Sequence, residues 1–159
     1  MIIKICCVGK LKESFFIDAC AEYEKRLSWY CELLICEVPD EKAGEELSKA
    51  AMEQVKLKEG RRLLAKLDPK DYVVALCIEG GQQGSEEFAE TLNRLTDSGT
   101  RCVAFMIGGS LGLSFEVTGR ANLKLSLSKM TFPHRIARLV LEEQLCRAYK
   151  IIRNEPYHK

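Results

Sequence analysis

Residues 72–78 read Tyr72-Val73-Val74-Ala75-Leu76-Cys77-Ile78, an unbroken apolar row with Gly80-Gly81-Gln82-Gln83-Gly84 behind it. A strand wetted on one face alternates apolar and polar side chains, whereas a strand covered on both faces does not. The row therefore predicts a central strand of a parallel sheet over Tyr72–Ile78, with a glycine loop after it. Cys102–Ile107 repeats the pattern before a second glycine stretch, Gly108-Gly109-Ser110-Leu111-Gly112-Leu113. Ile2–Val8, Glu32–Val38 and Leu123–Leu127 supply three further strand-like runs, the second of them stopped by Pro39-Asp40.

Helical spacing fills the intervals. Leu11–Tyr30 places Phe15, Phe16, Ala19, Cys20, Tyr23 and Leu27 on one face, with Ser14 as an early cap. Residues 45–66 form a helix charged over most of its surface, with a thin apolar stripe and a weak point at Gly60. Ser85 is expected to cap the next helix, with Glu86 and Glu87 in its first turn. A short helix near Ser114–Gly119 and a long one over His134–Ile152 complete the set. Five strands interleaved with helices give an α/β fold, a mainly parallel sheet flanked by helices. At 159 residues and 47% apolar, the chain is expected to be one domain over 1–159.

No apolar run approaches the roughly 18 residues that cross a bilayer. Met1–Gly9 reads as a strand and has neither a basic start nor a small-residue cleavage site. A cytoplasmic protein without a membrane partner is expected. The eight cysteines contain no C-x-x-C pair and are scattered through apolar segments, as small buried hydrophobes are in a reducing compartment. No metal site is expected from them.

Ligands of open α/β sheets gather beyond the carboxyl ends of the strands. Three loops qualify, those after Ile78, Ile107 and Leu127. Neither glycine loop spells G-x-x-x-x-G-K-[ST] or G-x-G-x-x-G, and Glu86-Glu87 would repel a phosphate at the following helix start. A phosphate-free or cationic nucleoside suits these loops better, because glycine lets backbone groups approach it closely. The third loop, Ser126 to His134, offers small polar groups, a lysine, and a proline that restricts Phe132 to extended geometry.

Charge is segregated along the chain. Residues 129–159 hold seven Lys/Arg against three acids, leaving 17 against 20 of the chain's 24 and 23. Both histidines, His134 and His158, lie in the same segment. The last helix carries an apolar stripe wider than packing on one sheet requires, which points to a subunit interface, with a fully buried core helix as the other reading. Arg135 and Arg138 are expected on its remaining face, with Arg147, Lys150 and Arg153 beyond, available to phosphates.

Several strings agree in order and spacing: Val8-Gly9-Lys10-Leu11-Lys12, Glu22-Tyr23-Glu24-Lys25-Arg26-Leu27, Ile107-Gly108-Gly109-Ser110, Met130-Thr131-Phe132-Pro133-His134, Glu142 through Ile151, and Pro156-Tyr157-His158-Lys159. Across its whole length the chain resembles the RlmH-type ribosomal RNA methyltransferases of the SPOUT superfamily. The resemblance implies a single SPOUT-type domain with a C-terminal trefoil knot, the knotted cofactor-binding part covering roughly 72–159. It implies a homodimer with its active site near the subunit interface. It implies methyl transfer from S-adenosyl-L-methionine to N3 of a pseudouridine in large-subunit (23S) ribosomal RNA of the assembled ribosome, with no metal.

Carried over by position, cofactor contacts fall on Leu76, Gly108, Leu127, Ser128, Lys129, Met130, Thr131 and Phe132. His158 and Tyr157 are the catalytic candidates, His158 for proton transfer or base contact and Tyr157 for positioning. Arg135, Arg138, Arg153 and Lys159 are the RNA-binding candidates, and His134 is expected to organise the loop and helix start. Leu111 and Lys159 depart from the family pattern, which has a polar or acidic residue and an arginine there. Two other readings stay open: a non-catalytic ribosome- or RNA-binding factor that keeps the fold, and a SPOUT methyltransferase acting on transfer RNA. The absence of an appended RNA-binding domain counts against the second.

Overall fold

The structure, a computed structural model, describes residues 1–156. Its elements follow the order β1 (Ile2–Val8), α1 (Ser14–Leu27), β2 (Glu32–Val38), α2 (Lys49–Leu64), β3 (Tyr72–Gln82), α3 (Ser85–Asp97), β4 (Cys102–Ile107), α4 (Phe115–Arg120), β5 (Leu123–Ser126) and α5 (His134–Ile152). The five strands form one sheet in the order β2-β1-β4-β3-β5, and every pairing is parallel. Helices α1, α3 and α5 cover one face, and α2 and α4 cover the other.

The unbroken apolar strands are explained by this double cover. Ile3, Ile5 and Cys7 of β1 join Val103, Phe105 and Ile107 of β4 in the core under α3 and α5. Cys6 and Val8 point the other way, with Met106, toward Leu63 of α2 and Val117 of α4. Lys4 interrupts the row because its ammonium pairs with Asp71 at 2.8 Å and donates to the Lys66 carbonyl at 3.1 Å. Burial is the largest single influence and works against that charge, but the hydrogen bonds and charges of Asp71, Asp68 and Cys102 together outweigh it and hold Lys4 above its ordinary range.

Several boundaries differ from the sequence reading for identifiable reasons. The glycines after Ile78 are not a loop: β3 continues to Gln82 after a register shift, so that Leu125 of β5 lies opposite both Leu76 and Gly81. A Cβ on Gly80 would lie 2.7 Å from backbone atoms of Lys124 and Leu125, so glycine is required there by the close approach of β5. Likewise Gly60 is a contact rather than a weak point, since a Cβ there would lie 2.2 Å from the Ser114 hydroxyl. Helix α2 starts at Lys49, where the Ser48 hydroxyl accepts from the Ala51 N–H at 3.2 Å. Gly84, not Ser85, is the cap of α3, which frees the Ser85 hydroxyl to donate to Gln144 of α5 at 2.7 Å. In the same way Glu13 caps α1, and Ser14 is its first helical residue.

Candidate active site

Because all strands are parallel, their carboxyl ends share one edge of the sheet, and the glycine loop after β4 and the loop after β5 sit there together. Leu76, Cys77 and Ile78 of β3, Ser126–Ser128, Met130 and Phe132 line a cavity of about 90 Å³. A second cavity of about 270 Å³ shares Ser126 and Leu127 with it and extends toward Gln83 and Gln144. Ile78 and Met130 are exposed at the rim, Met130 to 74%. The register shift of β3 makes this site, because Cys77–Gly80 leave the ladder there and open a wall that an even strand would close.

The loop after β5 is shaped by its own serines. The Ser126 hydroxyl donates to the Ser128 carbonyl at 2.9 Å, and the Ser128 hydroxyl accepts from the Met130 N–H at 3.0 Å. This local bonding fixes Leu127–Met130 without borrowing from another element. Across the site, Gly112 adopts φ +84° and donates its N–H to Gly109 at 3.1 Å. A Cβ on Gly108 would lie 2.5 Å from the Gly112 carbonyl carbon, so only glycine allows this turn.

Leu76, Leu127, Ser128, Met130 and Phe132 therefore meet around one opening whose lining does not include Lys129 and Thr131 of the same loop, and Gly108 closes a turn at the same edge of the sheet. His134 stands behind that loop, its Nε2 3.5 Å from where a Cβ on Gly9 would be. Burial lowers its ability to hold a proton, against the pull of Asp40. Glu59 has no signal in the sequence, which shows only a charged helix. It is buried beneath Gly109: its Oε1 accepts from the Glu41 N–H at 3.0 Å, while its Oε2 has no partner and lies 3.0 Å from a Gly109 Cβ position. Burial pushes this carboxyl up.

The basic candidates separate. Arg138 is not on the surface: it is 5% exposed and donates to Glu142 at 2.9 Å, Glu37 at 2.8 Å and Glu24 at 3.0 Å. The helical period put it on the polar side of α5, but that side packs against α1 and β2, which supply the carboxylates. Arg135 is half-exposed and pairs with Glu13. Arg147 pairs with Glu143 and Lys150 with Glu155. Much of the positive excess of the C-terminal segment is thus offset by acids within it or from the first forty residues. Arg153 remains at the surface with its guanidinium 4.6 Å from the Tyr30 ring centroid. Tyr157, His158 and Lys159 lie outside the described residues.

A family described as "Predicted SPOUT methyltransferase" matches residues 1–158. The chain belongs to the SPOUT methyltransferase family. Among similar proteins are those named ribosomal RNA large subunit methyltransferase H, 57% identical in Exiguobacterium sibiricum, 55% in Ligilactobacillus salivarius and 54% in Listeria monocytogenes, each over 100% of both chains. A solved structure of a probable methylase family protein from Haemophilus influenzae aligns with TM-score 0.52 at 13% identity, covering 96% of this chain and 66% of that one. That likeness concerns the fold alone. No helix among the described residues is long and apolar enough to cross a membrane.

Proposed function

We propose that this protein is an S-adenosyl-L-methionine-dependent methyltransferase that works as a homodimer on large-subunit ribosomal RNA of the assembled ribosome, methylating N3 of a pseudouridine. The observation that carries the reading is full-length identity of 54–57% to proteins named ribosomal RNA large subunit methyltransferase H. Action on ribosomes implies a cytoplasmic location. The reading includes a trefoil knot within 72–159, on the strength of the family resemblance.

The residues present fit the cofactor. The edge where Leu76, Leu127 and Phe132 converge is apolar, the Gly108 turn excludes a side chain, and neither glycine stretch has the phosphate-cradle sequence. S-adenosyl-L-methionine, when bound, supplies a methyl group on a cationic sulfur. The loop Leu127–Phe132 would hold it, with Ser126 and Ser128 keeping the loop in shape. The methyl group would pass from sulfur to N3 in a displacement, for which the loop residues would have to hold donor and acceptor in line. The N3 proton must also leave. His158 is assigned to receive it, since imidazole titrates nearest to neutral pH, and Tyr157 to position the base. Arg153 and Lys159 are assigned to phosphate, or to charge developing on the ring.

Geometry argues that the tail serves a second copy. Helix α5 starts beside Gly9 at the carboxyl edge of the sheet and ends beside Tyr30 at the amino edge. Its 19 residues span about 28 Å. Asn154 then turns the chain at φ 53°, with the Glu155 N–H donating to Lys150 and the Asn154 N–H to Ile151. Glu155 is itself held by Tyr30, and the four residues after it reach at most about 14 Å. The described chain thus ends at the edge opposite its own candidate cofactor loop, and an antiparallel partner would bring the end of one chain to the loop of the other.

The test is transfer of labelled methyl from S-adenosyl-L-methionine to ribosomes purified from a strain lacking the native activity, followed by mass spectrometry of the large-subunit RNA. Label on a pseudouridine is expected. Absence of label from assembled ribosomes, or label on transfer RNA instead, would sink the assignment.

A further inference from the structure

The amino edge of the sheet, opposite the cofactor loops, carries a surface that methyl transfer has not used. Trp29, in the turn that closes α1, is 71% exposed. It is the chain's one tryptophan. Beside it, Tyr30 stacks on Tyr149 at 5.5 Å and 12°, and the Arg153 guanidinium lies 4.6 Å from the Tyr30 ring centroid. Two planar side chains, Trp29 and Arg153, are thus exposed here.

Arg101 stands next to them at the start of β4, exposed and without an ion pair among the described residues. It lies on the ridge between two open depressions, one of about 850 Å³ with Trp29 and Glu32 on its wall, the other of about 450 Å³ with Lys70 and Arg120. The acid in the second depression, Asp71, is already paired with Lys4 at 2.8 Å. Burial is the largest single influence and opposes its charge, but hydrogen bonds from Lys4, the Asp68 N–H and Cys102, with the Lys4 charge, together hold it below its usual range. Glu32 stands in the first depression, Lys70 and Arg120 in the second, and Arg101 in both.

We infer that this edge is a platform for single-stranded RNA, with Trp29 stacking a base, Arg153 extending the stack, and Arg101, Lys70 and Arg120 taking the phosphates. Exposed planar groups among unpaired cations are how unstacked nucleotides are held. A protein partner would call for an apolar centre, and Trp29 is the one large apolar side chain exposed on this surface. The inference rests on the RNA substrate proposed above. It adds where the strand beside the target runs: past the end of α5, at the edge from which the chain's last residues depart.

Because Trp29 is the sole tryptophan, the full-length protein reports on its own surface. An oligouridylate of about ten nucleotides, within the span such platforms cover, is titrated while tryptophan emission and the anisotropy of a label on the RNA are followed. Saturable quenching is expected. Trp29→Ala should raise Kd about tenfold or more, and Arg101→Ala should flatten the log–log salt dependence by roughly 0.7. Both variants should bind S-adenosyl-L-methionine as the wild type does. Unchanged emission while the RNA label reports binding, or a Trp29→Ala variant with unaltered Kd, overturns the platform. Emission that follows protein concentration rather than RNA would place a second copy of the chain on this surface, and overturns it too. Wild-type methyl transfer with an unaltered KM for ribosomes in Trp29→Ala would retire the platform and leave the methyltransferase reading intact. Quenching by RNA from a wild type that neither binds the cofactor nor transfers methyl would do the opposite.

Discussion

The Tyr30 hydroxyl donates to Glu155 Oε2 at 2.6 Å across 125 residues of sequence, and Lys150 reaches the same oxygen at 3.1 Å. This contact pins the last turn of the chain to the amino edge of the sheet. It fixes Glu155 at that edge, shortly before the catalytic candidates in sequence. Tyr30→Phe removes the donor and leaves the ring stacked on Tyr149. Turnover on ribosomes should fall roughly fivefold, the order expected for loss of one orienting hydrogen bond, while calorimetry gives the same cofactor affinity. An unchanged kcat would show that the anchor does not govern the tail.

Gly60 and Gly119 make a matched pair for stability. A Cβ on Gly60 would meet the Ser114 hydroxyl at 2.2 Å and Val117 Cγ2 at 3.1 Å, whereas one on Gly119 would meet nothing within 4 Å. Gly60→Ala should destabilise by about 1–3 kcal/mol through overpacking. Gly119→Ala, in α4 on the same side of the sheet, should be neutral or stabilising by up to about 1 kcal/mol. Denaturant midpoints for the two variants decide the matter, and similar values would mean that α2 and α4 do not meet as closely as described.

These glycines also mark where sequence reading ran out. β1, β2, β4 and α5 are bounded as their patterns predict, because each is a long run whose burial or period is set by its own residues. Gly80 and Gly81 look like a loop since glycine pairs usually are one. Here they belong to a strand whose partner, β5, lies more than forty residues later and comes too close for a side chain. Arg138 was misread for a similar reason. A helical wheel shows which side chains share a face, but not that Glu24 and Glu37 will cover it. That the loops after β4 and β5 share one edge was more legible, because strand ends in a parallel sheet converge whatever the crossovers between them.

One guanidinium faces three carboxylates around Arg138. Burial pushes Glu142 up to about 7, against the opposing hydrogen bond from Arg138. The folded protein thus keeps a proton on Glu142 that the unfolded chain releases near the ordinary value of 4.5. Stability from this group is greatest below that value and declines as pH climbs from about 4.5 to about 7. Glu142→Gln should remove the decline, so that the variant gains on the wild type across that window. Unfolding free energies measured on either side of it check the sign; parallel curves for the two proteins would refute it. Arg138→Met, which strands the carboxylates, should cost about 3–5 kcal/mol, and this loss should appear in folding rather than in the salt dependence of RNA binding.

The placement of the chain end makes the strictest demand on the dimer. If the tail completes a partner's site, two inactive variants should rescue each other. Deletion of residues 154–159 spares the cofactor loop, and Leu76→Arg puts a cation where a cationic cofactor is expected while sparing the tail. Each alone should fail to transfer methyl, and the deletion should still bind cofactor. When the two are unfolded together and refolded in equal amounts, half of the dimers are mixed, and each mixed dimer has one intact site of two. Activity should return to about a quarter of the wild-type level, the statistical value for a two-fold dimer. A site built within one chain would give no recovery at any ratio, because neither variant then supplies both halves to the same place.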